Sequence, residues 1–158
     1  MTSTAGFDLD EFLPYRLAVA AQRVSAAFRA VYGPRHGLSV AEWRVMAHLA
    51  NAGPVSVREV FARVAMDKPK VSRAASRLEL AGLIEKRADP GDRRLVALSL
   101  TERGRAVMTD LVPLARAFEA GLLARLTPEE RAALDAVLTK LVEAGEETGG
   151  EGAASDAL

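Results

Sequence analysis

Apolar side chains recur every three or four residues along most of this chain, which is the periodicity of amphipathic α-helices. The first such stretch covers residues 11–32, and the glycine and proline that follow it are expected to break the helix. A second helix is predicted after Ser39 and a short third one after Ser56, because a glutamate three residues after each serine can complete a capping box. The third helix is expected to end near Ala65.

A helix-turn-helix and a β-hairpin are predicted next. Asp67 can cap a fourth helix that carries Pro69 in its first turn and stops at Gly82. A very short turn separates this helix from the third one, which is the arrangement of a helix-turn-helix. Two strand-like runs follow at residues 83–88 and 95–100, and the Asp-Pro-Gly-Asp sequence between them is typical of a type II turn.

The last third of the chain predicts two more helices. Thr101 can cap a fifth helix that extends to about Arg125 and is interrupted at Pro113. Thr127 opens a sixth helix, with proline at its first position and glutamate at its third. Residues 146–158, rich in Gly, Glu and Ala, are expected to be disordered because they offer few large apolar side chains to bury. The whole pattern predicts a mainly α-helical protein with one small β-hairpin.

The charges of the chain are unevenly distributed. Its 158 residues have no net formal charge and fit a single domain. Residues 1–55 carry +1, residues 56–105 carry +5 and residues 106–158 carry −6. Nucleic acids attract clustered Lys and Arg and repel acidic surfaces. The middle third is therefore the part expected to contact DNA.

The composition disfavours several classes of function. The chain has no cysteine and only two histidines, and it lacks the motifs of serine hydrolases, phosphate-binding loops and zinc proteases. We therefore expect no catalytic residues, no metal site and no cofactor. The N-terminus is acidic where a signal peptide would be basic, and no apolar run approaches the roughly 20 residues of a membrane span. These features favour a soluble, cytoplasmic protein without membrane contact.

The predicted fourth helix has one basic and one apolar face. The basic face carries Lys70, Ser72, Arg73, Ser76 and Arg77. The apolar face carries Val71, Ala74, Ala75 and Leu78. Such a helix fits the major groove of DNA, where these polar side chains can bond base edges, but it could also be an amphipathic helix with a solvated face. Arg93 and Arg94 at the hairpin tip could enter the minor groove, or form a solvated turn with a local ion pair.

The sequence also resembles a known family. Residues 66–104, MDKPKVSRAASRLELAGLIEKRADPGDRRLVALSLTERG, closely resemble the signature of the multiple antibiotic resistance regulator (MarR) family, and the helix order extends the resemblance over residues 10–145. The resemblance implies a winged helix-turn-helix lobe at residues 39–105 and dimerisation helices at residues 11–33 and 106–145. It implies a homodimeric transcriptional regulator, commonly a repressor, that binds a near-palindromic operator in double-stranded DNA.

The resemblance also assigns DNA contacts to the fourth helix and to the hairpin, or wing. The major-groove roles fall on Lys68, Pro69, Lys70, Ser72, Arg73 and Arg77. In the wing, the family inserts an arginine into the minor groove, which corresponds here to Arg94, held by an acidic neighbour that corresponds to Asp92. Gly91 departs from the pattern, since the family often has arginine there, and this departure would weaken the contacts of the wing.

Dimerisation has independent support, because the last two helices carry more apolar surface than a small DNA-binding lobe needs to bury. The alternative is one larger, monomeric helical core. A winged-helix module that binds protein instead of DNA is a further alternative, because a fold does not dictate its partner. The basic face of the fourth helix and the arginines of the wing argue against that module.

Members of the family commonly bind small aromatic or phenolic ligands, often anionic, in a crevice between the dimerisation helices and the DNA-binding lobe. The candidates for such a site are Tyr15, Arg16, Trp43, Arg44 and His48. An arginine beside apolar surface would suit an aromatic carboxylate or its thioester. The alternative roles are ordinary: Trp43 as a core residue, Arg44 in a salt bridge and His48 at the surface.

Overall fold

The computed structural model describes residues 6–64, 66–88, 91–94 and 96–152. The chain divides into two compact units, Met1–Ala115 and Arg116–Leu158. The helices are α1 (Leu13–His36), α2 (Val40–Ala52), α3 (Val57–Arg63), α4 (Lys68–Leu80), α5 (Glu102–Leu123) and α6 (Pro128–Gly152). The strands are β1 (Val55–Ser56), β2 (Ile84–Ala88) and β3 (Val96–Leu100). The predicted fold class, mainly α-helical with a small β-hairpin, is confirmed.

The break expected after residue 32 was wrong, because α1 continues through Gly33 and Pro34 to His36. A proline removes a single backbone donor, and here it lies close to the helix end, where few hydrogen bonds depend on it. The helix stops at Gly37, which adopts φ 64° and donates its N–H to the carbonyl oxygen of Gly33. The left-handed conformation of this glycine, which other residues adopt at a cost, therefore ends α1.

Hydroxyl and carboxylate caps begin the next helices as predicted. Ser39 and Glu42 form a reciprocal capping box at the start of α2. The hydroxyl of Ser56 accepts a hydrogen bond from the backbone N–H of Glu59 at the start of α3, but the reverse bond that would complete the predicted capping box is not found among the described residues. Asp67 caps α4. These short-range bonds satisfy backbone donors that a helix leaves free in its first turn, and so they set where each helix begins.

The hairpin is part of a three-stranded antiparallel sheet with the strand order β1-β3-β2. The pairing of β2 with β3 aligns Ile84 with Leu100 and Ala88 with Val96. The two-residue strand β1 was not predicted, and its Val55 pairs with Leu98 on the other side of β3. Residues 89 and 90 of the predicted turn, and residue 95 at the start of the second predicted strand, lie outside the described residues.

The core of the first unit forms where α2, α4 and the sheet meet. Its fully buried side chains include Val45, Met46, Val60, Val71, Leu78, Ile84, Leu98 and Leu111. An aromatic cluster joins α1 to α2, because Phe28 and Tyr32 both pack against Trp43, with ring centroids 5.2 and 5.9 Å away. The packing fixes α4 by one face and leaves its other face in solvent.

The two C-terminal helices differ in two places from the expectation. α5 passes through Pro113 without a break, with Met108 and Leu111 buried in the turns before it, so that tertiary packing outweighs the lost backbone bond. α6 begins at the predicted cap, where Thr127 and Glu130 form a reciprocal pair, and it continues to Gly152, beyond the expected start of the tail. The end of the predicted tail, residues 153–158, lies outside the described residues.

Candidate nucleic-acid interface

The candidate interface is the solvent face of α4. Its opposite face is buried through Val71, Ala74, Ala75 and Leu78, as the sequence pattern predicted. All six residues expected in the major groove are exposed: Lys68, Pro69, Lys70, Ser72, Arg73 and Arg77. Because a helix presents residues three or four apart on one side, Lys70, Arg73 and Arg77 form a single basic stripe. This stripe is the electrostatic feature expected of a helix that binds a polyanion.

The first turn of α4 is held by its cap. Asp67 accepts a hydrogen bond from the backbone N–H of Lys70 at 2.9 Å, and its other oxygen lies 3.2 Å from the Nζ atom of Lys70. The backbone hydrogen bond, followed by the side-chain bond and charge of Lys70 and the charge of Arg73, lowers the pKa of Asp67 below its ordinary value. Asp67 is therefore ionised at neutral pH and offsets part of the charge of Lys70.

The three cations of the stripe have different partners. Lys70 pairs with Asp67, and the Nη1 atom of Arg77 lies 3.9 Å from a carboxylate oxygen of Glu42. Arg73 lies between them and forms no ion pair with any described residue. Its guanidinium is consequently the one in the stripe that is most available to a ligand.

The tip of the wing places both of its arginines in solvent. Arg93 and Arg94 are exposed, and the Oδ1 atom of Asp92 accepts a hydrogen bond from the backbone N–H of Arg94 at 2.9 Å. Asp92, the acidic neighbour that the family pattern implies, therefore binds the backbone N–H of Arg94. A short aspartate-to-backbone bond of this kind stabilises a turn and restricts the direction of the side chain that follows.

A set of contacts that the sequence did not predict joins the end of α4 to the start of α5. The hydroxyl of Thr101 donates to the carbonyl oxygen of Gly82 at 2.7 Å, and Arg103 donates to that of Ala81 at 3.1 Å. The backbone N–H of Thr101 donates to Leu83. Gly104 packs against Leu83 so closely that a Cβ atom would overlap with its carbonyl oxygen. Residues 101–104, Thr-Glu-Arg-Gly, mark one side of this junction in the sequence. The residues that they contact lie about 20 positions earlier in the chain, so the junction was not predicted.

The structure does not bring the five predicted ligand residues into one pocket. Tyr15 and Arg16 line a cleft along α1, whereas Trp43, Arg44 and His48 line another beside α2. Trp43 belongs to the aromatic cluster of the core, and Arg44 donates to the hydroxyl of Ser25 at 3.3 Å. The Nε2 atom of His48 is buried without a hydrogen-bond partner among the described residues. The position of Trp43 agrees with its alternative role in the core, whereas Arg44 bonds a hydroxyl and forms no salt bridge with a described residue.

A larger cavity of about 850 Å³ lies elsewhere in the first unit, between the end of α2, the sheet and the start of α5. Its apolar wall includes Leu49, Pro54, Leu100, Met108, Val112 and Pro113. Its charged groups are Glu85, Arg87 and Arg105. Arg87 pairs with Glu85 at 2.9 Å, and Arg105 donates to the carbonyl oxygen of Leu100 at 2.7 Å. Sequence reasoning missed this cavity because its wall comes from three separate segments.

Within the described ranges, no three His, Asp or Glu side chains come together as a metal site. No helix in the described part of the chain combines the length and apolar character that crossing a bilayer requires.

Comparison with known proteins identifies relatives that share both fold and sequence. The MarR family model matches residues 36–95. The transcriptional repressor NicR of Pseudomonas putida is 30% identical over 144 residues, which cover 90% of each chain. The structure of BpsR of Bordetella bronchiseptica is 30% identical, with a TM-score of 0.76, and the match covers 87% of this chain and 98% of BpsR. A MarR/EmrR family regulator from Acinetobacter sp. ADP1 matches with a TM-score of 0.81 at 26% identity, over 89% and 99% of the two chains.

These relatives are regulators of transcription and not enzymes. Their winged helix-turn-helix fold accounts for the amphipathic α4, its connection to α3 and the hairpin that follows it. The chain belongs to the MarR family of DNA-binding transcriptional regulators.

Proposed function

We propose that this protein is a cytoplasmic, homodimeric repressor that binds a near-palindromic operator and is released from it by a small aromatic acid. The observation that carries the DNA-binding part is the basic stripe of α4, which is exposed while the opposite face of the same helix is buried against the core. A helix fixed in this way can enter the major groove without rearranging the lobe.

Within this proposal the basic residues have different roles. Arg73, which has no ion pair among the described residues, contacts base edges, whereas Lys68 and Lys70 contact phosphate groups near the start of α4. Pro69 and Ser72 lie on the same exposed face and pack against the groove. Arg93 and Arg94 contact the minor groove beside it, where narrow A·T-rich sequence attracts arginine.

Dimerisation is supported by apolar side chains that remain exposed on the terminal helices. On α1 they include Leu13, Leu17, Val24 and Val31, and on α6 they are Leu134, Val137, Leu138 and Val142. A soluble chain rarely leaves repeated large apolar residues in solvent along two helices. We propose that a second copy covers them, with residues 11–33 and 106–145 as the dimerisation helices. A monomer at micromolar concentration in light scattering would contradict this.

An effector is supported by the relatives and by the large cavity. The DNA binding of BpsR is regulated by 6-hydroxynicotinic acid. The cavity combines an apolar wall with Arg87, Arg105 and Glu85, whose net charge of +1 favours a monoanion with an aromatic ring. We place the effector there. The residues predicted from the sequence for the effector site line two other clefts, one with Trp43, Arg44 and His48 and one with Tyr15 and Arg16, and these clefts stay alternative locations for the effector.

The proposal is tested by selecting duplexes from a randomised DNA pool with the purified full chain. We expect enrichment of a near-palindromic sequence whose half-sites lie about one helical turn, roughly 34 Å, apart. The enriched duplex should lose affinity when 6-hydroxynicotinate or benzoate is added. Absence of any enrichment would favour the alternative, a winged-helix module that binds protein. Enrichment of a single asymmetric half-site would contradict the proposed dimer.

A further inference from the structure

One carboxylate stands apart from the other acidic groups of the DNA-binding lobe. Glu42, in the first turn of α2, is 8% exposed, and it is the only buried acidic or basic residue in the described part of the chain. Burial of a carboxylate is unfavourable unless its oxygens are hydrogen-bonded or paired with a cation. The position of Glu42 therefore favours partners for its negative charge.

The two oxygens of Glu42 face different elements. Oε2 accepts a hydrogen bond from the backbone N–H of Ser39 at 2.9 Å, which completes the capping box of α2. Oε1 lies 3.9 Å from the Nη1 atom of Arg77, on the basic stripe of α4. A small cleft between the two helices is lined by Ser39, Ala41, Glu42, Lys70, Arg73, Ala74 and Arg77. The carboxylate thus connects the start of α2 to the helix that we propose enters the major groove.

The other helix caps show that capping alone does not demand this arrangement. Glu59 occupies the same position in the first turn of α3, where the cap is Ser56, and Glu130 occupies it in α6, where the cap is Thr127. Both glutamates are exposed, and neither forms an ion pair with a described residue. Glu42 alone is buried and faces a cation of the stripe.

We propose that Glu42 is a specificity-determining positioning residue, whose buried carboxylate draws the guanidinium of Arg77 toward one direction and reduces its attraction for DNA of any sequence. This inference rests on the proposed DNA-binding function. Arg77 has a long side chain that is 72% exposed, so without an anchor it would sample many rotamers. A guanidinium drawn toward one direction presents its coplanar donors to fewer arrangements of base or phosphate acceptors.

The same pair lowers non-specific binding. The negative charge of Glu42 offsets part of the charge of Arg77 next to the phosphate backbone, so DNA gains less from unselective attraction. A partly exposed pair at this distance contributes little to the free energy of folding, which argues against a purely stabilising role. Glu42 therefore lowers affinity for all DNA and raises the preference for the correct site.

The test compares Glu42→Gln with Glu59→Gln, which removes the same charge from the same position of the neighbouring helix. The amide oxygen of glutamine can still accept the hydrogen bond from Ser39, so the cap of α2 is kept. Affinities are measured by fluorescence anisotropy across a salt series, on the duplex enriched by the wild-type protein and on a shuffled duplex of equal length. Circular dichroism checks that each variant is folded.

We expect Glu42→Gln to bind the shuffled duplex about threefold more tightly, with a salt dependence steeper by about one counterion. Its preference for the enriched duplex should fall about tenfold, because the shuffled duplex gains affinity while the enriched one loses a fixed contact. Glu59→Gln should match the wild type. In an Arg77→Ala background, Glu42→Gln should change the preference by less than about twofold, since its partner is gone.

A second variant keeps the inference testable if Glu42→Gln fails to fold. Arg77→Lys keeps the charge of an exposed side chain but loses the planar set of donors, so it should lower the preference without raising affinity for the shuffled duplex. The inference is overturned if Glu42→Gln matches Glu59→Gln, if its effect persists in the Arg77→Ala background, or if Arg77→Lys matches the wild type. A wild-type protein with no sequence preference would instead overturn the proposed function, and this inference with it.

Discussion

Gly104, in the first turn of α5, lies directly against the backbone of Leu83, the residue that leads from α4 into β2. A Cβ atom on Gly104 would overlap with the carbonyl oxygen of Leu83 and would lie 3.0 Å from its carbonyl carbon. Backbone atoms cannot move away as a flexible side chain can. We therefore expect Gly104→Ala to lower the free energy of unfolding by about 1–3 kcal/mol, measured by urea denaturation. The change should also weaken DNA binding, since the end of α4 must shift.

Gly121 provides the matched control for this prediction. It lies in the same helix, and nothing comes within 4 Å of a Cβ atom built on it. Because alanine favours a helix more than glycine does, Gly121→Ala should leave the protein equally stable or raise the free energy of unfolding by up to about 1 kcal/mol. If both alanine variants unfold at the same urea concentration, the close packing of Gly104 is not a constraint on the fold.

Arg73 is expected to carry sequence discrimination. Arg73→Ala should weaken binding to the enriched duplex by about 1–3 kcal/mol and relax the preference at one base pair in each half-site. Affinity for the shuffled duplex should change much less. The protein should stay folded, because the side chain is exposed and has no ion pair with a described residue. Single-base variants of the enriched duplex provide the measurement, and normal binding to all of them would remove Arg73 from the base contacts.

Arg94 is expected to act differently, because it lies on the wing and its backbone is bonded by Asp92. Arg94→Ala should lower affinity at the flanks of the site, reduce the preference for A·T-rich sequence there and decrease the salt dependence of binding. Base discrimination at the half-site centres should be unchanged. Footprints at two salt concentrations can separate these effects. A variant that loses centre discrimination but keeps its flank preference would contradict the assignment.

The lowered pKa of Asp67 predicts that its effect on stability changes with pH only in the acidic range. The pKa of Asp67 is lowered in the folded state, chiefly by the backbone hydrogen bond from Lys70. The contribution of its charge to the free energy of unfolding is therefore fully present above the unfolded-state pKa, and it is lost as the pH falls through the folded-state pKa. Asn can replace Asp as a helix cap without the charge. The difference in free energy of unfolding between wild type and Asp67→Asn should therefore be constant near neutral pH and shrink below about pH 4. A difference that does not vary with pH would exclude this role.

Local signals explain most of what the sequence predicted. The caps at Ser39, Asp67 and Thr127 depend on residues three positions away, so the starts of α2, α4 and α6 could be predicted without tertiary information. The stop expected at Pro34 was wrong because a proline near a helix end disrupts little, and Gly37 provides the cap. The basic stripe of α4 was predicted from the helical spacing of its Lys and Arg residues, although its contacts with DNA stay a prediction.

Features that depend on distant residues could not be predicted in the same way. The packing of Gly104 on Leu83 and the pairing of Val55 with Leu98 join segments about 20 to 40 residues apart. Glu42 was predicted as a cap, and only the folded chain places its second oxygen beside Arg77. The large cavity escaped prediction for the same reason, since no single segment supplies more than part of its wall.

The effector site gives the last prediction, because substitutions can separate the large cavity from the cleft beside α2. In the cavity, Val112→Phe should fill space beside the apolar wall, and Arg87→Ala should remove one of the two cations that favour an anionic ligand. We expect Val112→Phe to abolish calorimetric binding of 6-hydroxynicotinate and benzoate, and Arg87→Ala to weaken it about tenfold, a loss typical of a charge-assisted contact. Both variants should bind the enriched duplex normally without ligand. Arg44→Ala, in the cleft beside α2, tests that alternative location. If this variant lost the effect of ligand on DNA affinity while the two cavity variants kept it, the effector would bind in the cleft and not in the cavity.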